Sequence, residues 1–145
     1  MAAASTCKIP SATRYLSRVR QFVDQQTSEA GLSDKAAGEV QLAVDEACAN
    51  AIEHAYGGSE EGTVEIVTKK TKSQFTVIIR HKGVPFDKAK YRPPDLKVAA
   101  AERWKGGFGV ALIHRLVDHV EYRQRGRTSE VYLVKNLNGD GSATA

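Results

Sequence analysis

Hydrophobic and polar positions along the chain change period several times, and the changes divide it into helices and strands. Tyr15, Leu16, Val19, Phe22 and Val23 recur at helical spacing, which predicts an amphipathic helix to about Ser28, closed by Gly31. Ser33 is a good N-cap for a second helix, with Asp34 in its first turn at the positive end of the dipole. Ala36, Ala37, Val40, Ala43, Val44, Ala47, Cys48 and Ala51 keep that helix amphipathic to about Ala55, where Gly57 and Gly58 end it. From Thr63 the period falls to two. Val64, Ile66 and Thr68 alternate with Thr63, Glu65 and Val67, and after a polar turn Phe75–Ile79 forms a β-branched second strand.

A loop over His81–Asp87 follows, then a polar stretch from Lys88 to Lys105 with weak periodicity. Gly106-Gly107-Phe108-Gly109 precedes Val110, Leu112, Ile113, Leu116 and Val117, a third helix. Val120–Tyr122 and Val131–Val134 read as a closing strand pair around a turn. At the other end, Lys8 and Ile9 suggest a short first strand stopped by Pro10. Strands joined by short turns imply a mostly antiparallel sheet, with three helices on one face. The expected class is α+β, a two-layer sandwich. One domain over residues 8–137 accounts for the pattern, with 1–7 and 138–145 as flexible termini.

Composition narrows the function little. At 145 residues, 41% hydrophobic and 26% charged, the chain reads as an ordinary soluble domain. No apolar run approaches the roughly 20 residues of a membrane span, and the first residues lack a secretory leader's pattern. Cys7 and Cys48 have no metal-ligand spacing and read as reduced thiols of a cytoplasmic protein. The net charge of +4 raises nucleic-acid binding. However, Lys69, Lys70 and Lys72, and Arg123, Arg125 and Arg127, cluster at hairpin ends, where charge is usually solvated surface. A groove for phosphates or an acidic protein partner uses the same surplus better.

Two features carry candidate chemistry. Glu46 and Asn50 stand one turn apart on a helix otherwise made of small apolar residues, so a carboxylate and a carboxamide share a face. Such a pair suits a hydrated divalent cation and a proton in transit, although polar helix faces often carry both types. His54, a further turn on, reads as polar support. The second feature is Gly106–Gly109, whose glycines let backbone N–H groups approach phosphate oxygens at a helix start. A tight turn alone would also use glycines there. The segment is not a Walker A loop, which needs Lys-Ser/Thr after the last glycine. Lys105 beside it could reach a terminal phosphate.

Together these segments resemble the GHKL (histidine-kinase-like) ATPase fold, and within it the anti-sigma factor serine kinases of the RsbW/SpoIIAB type. The resemblance rests on Leu42–Tyr56, Gly83-Val84-Pro85-Phe86-Asp87 and Gly106–Ile113, in that order, and spans most of the chain. It implies ATP and Mg²⁺ as cofactors. Glu46 becomes the general base and Asn50 the Mg²⁺ ligand. Gly83 lies close to the adenine, Gly107 and Gly109 approach the phosphates with Lys105 beside them, and Lys88–Lys105 forms a lid. It implies as partners a sigma factor and a STAS-like anti-anti-sigma protein bearing the serine, and a homodimer, with no direct nucleic-acid or membrane contact. The chain departs from the family pattern at one place. His81 stands where an aspartate accepts a hydrogen bond from the adenine amino group, which implies an alternative: a protein-binding regulator of the same fold with weak or lost nucleotide binding.

Overall fold

The computed structural model describes residues 3–55, 62–82 and 107–137. Strand β1 spans Ala3–Pro10, and a single 3-10 turn over Thr13–Tyr15 leads into helix α1, Leu16–Ala30. Gly31 closes α1 in the left-handed region at φ 79°, a conformation open to glycine at little cost. Helix α2 runs Asp34–Asn50 and passes directly into a π-helical turn, Ala51–Ala55. Strands β2 (Thr63–Lys70) and β3 (Gln74–Lys82) form a hairpin, helix α3 covers Gly107–Leu116, and β4 (His119–Arg125) and β5 (Thr128–Asn136) form a second hairpin.

The sheet has five strands in the order β1-β2-β3-β5-β4, and every pairing is antiparallel. Helix α1 lies against β1 and β2, α2 against β3 and β5, and α3 against β4. That is the two-layer α+β sandwich expected from the pattern. The register explains why. Ile66 pairs with Ile79, which pairs with Val131 in turn, and Val77 pairs with Leu133, so one face is apolar across neighbouring strands. Val19 and Val23 from α1, and Val40, Ala43, Val44 and Cys48 from α2, bury against it. At about 1.5–3 kcal/mol for each large apolar side chain removed from water, this layer contact holds the fold together.

The opposite sheet face has no helix over it among the described residues. Val67 and Ile78 are nonetheless buried there, at 4% and 0% exposure, as a cross-strand pair with Tyr132 beyond Ile78. Charged side chains surround this stripe: Arg80 bonds Glu130 and reaches Glu65, and Arg123 lies 4.1 Å over the Tyr132 ring.

Several boundaries differ from the sequence reading, and three of them have a clear physical reason. Strand β1 begins at Ala3 rather than Lys8, because the edge of β2 supplies backbone partners to small residues that carry little strand signal of their own. His81 is not in a loop. It pairs with Val64 on one side and Ser129 on the other, so the ladder carries β3 through Lys82. Helix α3 starts at Gly107 rather than after Gly109; its packing along α2 outweighs the roughly 1 kcal/mol penalty per helical glycine.

Candidate functional site

Helix α2 brings Glu46 and Asn50 to its last two turns, both partly exposed. The helix forms because Ser33 caps it, its hydroxyl accepting from the Ala36 N–H at 3.1 Å, and because its apolar stripe faces the sheet. Asp45, next to Glu46 but on another face, is occupied elsewhere: Arg20 of α1 donates to both its oxygens at 3.2 and 3.0 Å. Partial burial pushes the Glu46 carboxyl up from its ordinary range, with smaller upward contributions from the charges of Asp45 and Glu53. A carboxylate with a raised pKa near other charges is suited to taking a proton.

A side chain the sequence reading passed over relates α2 to the other site elements. Lys135 of β5 donates to Glu39 of α2 at 2.7 Å and to the carbonyl of Leu116, the last residue of α3, at 3.2 Å. It is thus a common reference point for α2, α3 and the sheet. Helices α2 and α3 lie against each other, so they run antiparallel from this tie. Glu46 is seven residues beyond Glu39 and Gly109 seven residues before Leu116, which sets both about 10 Å from the tie. Asn50 and Gly107 follow at about 16 and 13 Å. In the sheet, Lys135 pairs with Phe75, and His81, six residues on, lies about 20 Å along β3. The π turn after Asn50 touches β3, and the chain re-enters the sheet at Thr63, beside the Val64–His81 pair. Glu46, Asn50, His81, Gly107 and Gly109 therefore gather at one end of the sandwich.

His81 is 9% exposed, and burial pushes its imidazole below the ordinary range. It is neutral at pH 7, so it offers one donor and one acceptor nitrogen. Gly107 is the first residue of α3 and Gly109 lies in its first turn, where backbone N–H groups have no partner within the helix. Gly83, Lys105, the Lys88–Lys105 segment and the end of the second helix at Gly57-Gly58 lie outside the described residues. No group of three His, Cys, Asp or Glu side chains able to hold a metal ion occurs among the described residues. Cys48 is fully buried and its thiol is pushed well up by that burial.

A polar cleft of about 790 Å³ opens at the opposite end, lined among others by Ser33, Lys35, Lys70, Asp118 and Lys135. It contains none of the residues singled out by the motifs. Lys135 itself had a readable signal. It shares the helix-facing side of β5 with Val131 and Leu133 by alternation, and an inward lysine calls for a partner.

Comparison with known proteins identifies the family and agrees with the fold. Residues 9–135 match the model of the histidine kinase-like ATPase domain family. The serine-protein kinase RsbW of Listeria monocytogenes is 30% identical over 80% of this chain and 76% of its own length. RsbW of Bacillus subtilis is 28% identical over 92% and 85%. A crystal structure of the RsbU and RsbW domains of a Mycobacterium tuberculosis protein superposes with a TM-score of 0.65 at 13% identity. That match covers 92% of this chain and 32% of the larger protein, and it speaks for the fold alone. The chain belongs to the histidine kinase-like ATPase domain family, among the RsbW serine-protein kinases.

Proposed function

We propose that this chain binds ATP with Mg²⁺, phosphorylates a serine on a STAS-like anti-anti-sigma partner, and sequesters a sigma factor. The observation that carries the proposal is the convergence of Glu46 and Asn50 with the first turn of α3 and with His81 at one end of the sandwich. In the reaction the serine oxygen attacks the γ-phosphorus. The bond from that phosphorus to the bridging oxygen breaks, ADP leaves with the electron pair, and the serine proton passes to the Glu46 carboxylate.

The donor set fits Mg²⁺. Asn50 presents a hard oxygen ligand, and the absence of a protein cage among the described residues suits an ion that keeps waters and takes phosphate oxygens. When bound, the ion neutralises phosphate charge. Asn50 would hold it, the Gly107 and Gly109 backbone would admit the phosphates closely, and Lys105 and Gly83 would belong to the site on the strength of their motifs alone. At the adenine end, the neutral His81 accepts one hydrogen bond where the family's aspartate would. On this reading the chain works in the cytoplasm, where a sigma factor acts, and it carries over the homodimer that the family resemblance implies. Arg123 and Arg125 are drawn into contacts with Glu121, Tyr132 and Glu130, which favours a protein partner over nucleic acid.

The test is transfer of labelled γ-phosphate from ATP·Mg to STAS-domain proteins encoded in the same genome. Label should appear on one serine and be lost when Glu46→Gln replaces the parent. Transfer that is undiminished in Glu46→Gln removes that residue from the base role. A second reading, a regulator of the same fold that no longer uses nucleotide, draws on His81 alone. Replacing it by His81→Asp separates the two. Tighter adenine nucleotide binding in the variant means the imidazole weakens the site, whereas equal or weaker binding means it is a fitted contact.

A further inference from the structure

We propose that Lys135 is a positioning residue for the nucleotide site. It acts at a distance by fixing the spacing between the two helices that would grip the phosphates. The inference rests on the kinase reading and names a group which that reading does not contain.

Three facts carry it. Lys135 is only 16% exposed and its ammonium bridges two elements, Glu39 of α2 at 2.7 Å and the Leu116 carbonyl of α3 at 3.2 Å. The Leu116 carbonyl belongs to the negative end of the α3 dipole, where a cation is favoured. The tie also sits at the far ends of the helices. Glu46 and Asn50 extend from one arm, and Gly109 and Gly107 from the other.

A short, partly buried, charge-assisted contact has little freedom, so it sets the separation of α2 and α3 at that end of the sandwich. Over the roughly 10–16 Å to the site, a change of angle at the tie becomes a change of gap between the Asn50 carboxamide and the first turn of α3. The adenine end differs. His81 is held by the β3 ladder, with Val64 and Ser129 as its neighbours, and does not depend on the tie. Losing Lys135 should therefore loosen phosphate binding and spare adenine binding. A residue that only stabilised the fold would show no such split.

The experiment is isothermal titration of the whole chain with ADP·Mg and separately with adenosine, well below the unfolding temperature, alongside thermal melting. Lys135→Met should weaken ADP·Mg by roughly tenfold or more, since small misplacements of a positioned site have effects of that size or larger. Adenosine affinity should stay within about twofold, a change too small to count as a lost contact. Lys135→Arg, which keeps a cation of similar reach, should recover most of the ADP·Mg affinity. If Lys135→Met does not fold, Glu39→Gln, which keeps an acceptor and drops the charge, should show the same selective loss to a smaller degree. A lower melting temperature with both affinities unchanged, or equal loss of both, overturns the role. Failure of the parent to bind ADP·Mg overturns the kinase reading and the inference with it. A parent that binds beside variants that bind equally well overturns the inference alone.

Discussion

The two ends of α2 are built on opposite principles. At its start, Ser33 caps the first turn, Gly31 turns the chain in, Glu39 is tied to Lys135, and Val40 is buried. At its finish, Glu46 is held partly out of water with its carboxyl pKa raised, and the helix gives way to a π turn at Ala51. Irregular turns of this kind are frequent at functional sites. The difference shows where stability is generated and where it is given up. The start is optimised for holding, and that lets the finish carry groups the fold itself disfavours.

This contrast can be broken from either side. The largest effect is expected at the holding end. Phe75, 2% exposed and paired across the sheet with Lys135, should cost about 3–5 kcal/mol when changed to alanine, as large aromatic truncations in cores do. Urea unfolding would read it, and a loss well under that range would mean the end is packed more loosely than described. A smaller loss follows from Ser33→Ala, about 0.5–2 kcal/mol for a removed N-cap, with nucleotide affinity unchanged because the cap bonds only Ala36 and leaves the Glu39–Lys135 tie in place.

The smallest effect has the opposite sign. The folded chain favours the protonated form of Glu46, so between the ordinary carboxyl range and the raised value it binds more protons than the unfolded chain. Stability therefore falls as pH rises through that window, and the deficit is complete above it. Glu46→Gln should melt slightly higher than the parent at neutral pH, with the gain disappearing below the ordinary carboxyl range. Equal melting at all pH values would show that Glu46 carries no strain.

The sequence revealed the holding end more readily than the working end. The cap at Ser33, the stop at Gly31 and the alternation in β2 are local signals, each set by residues a few positions apart, and each appears where expected. Glu46 and Asn50 were also legible, since helical spacing alone puts them on one face. What was not legible depends on distant partners. Lys135 meets Glu39 across 96 residues, and no local pattern encodes that meeting. His81 reads as loop because Gly83 and Pro85 follow it, yet the neighbouring strands on both sides draw it into β3. The glycines of Gly106–Gly109 signal a turn, and only packing against α2 makes Gly107 the start of a helix.

The most direct test of the account is calorimetric titration of the parent chain and of Asn50→Ala with ADP·Mg and with ADP in excess chelator. The account predicts that the parent binds ADP·Mg below millimolar concentration and loses affinity when the metal is removed. It also predicts that Asn50→Ala binds the two forms alike, at no cost in melting temperature. No heat of binding from the parent at millimolar ADP·Mg, or a metal dependence that survives in Asn50→Ala, would contradict it.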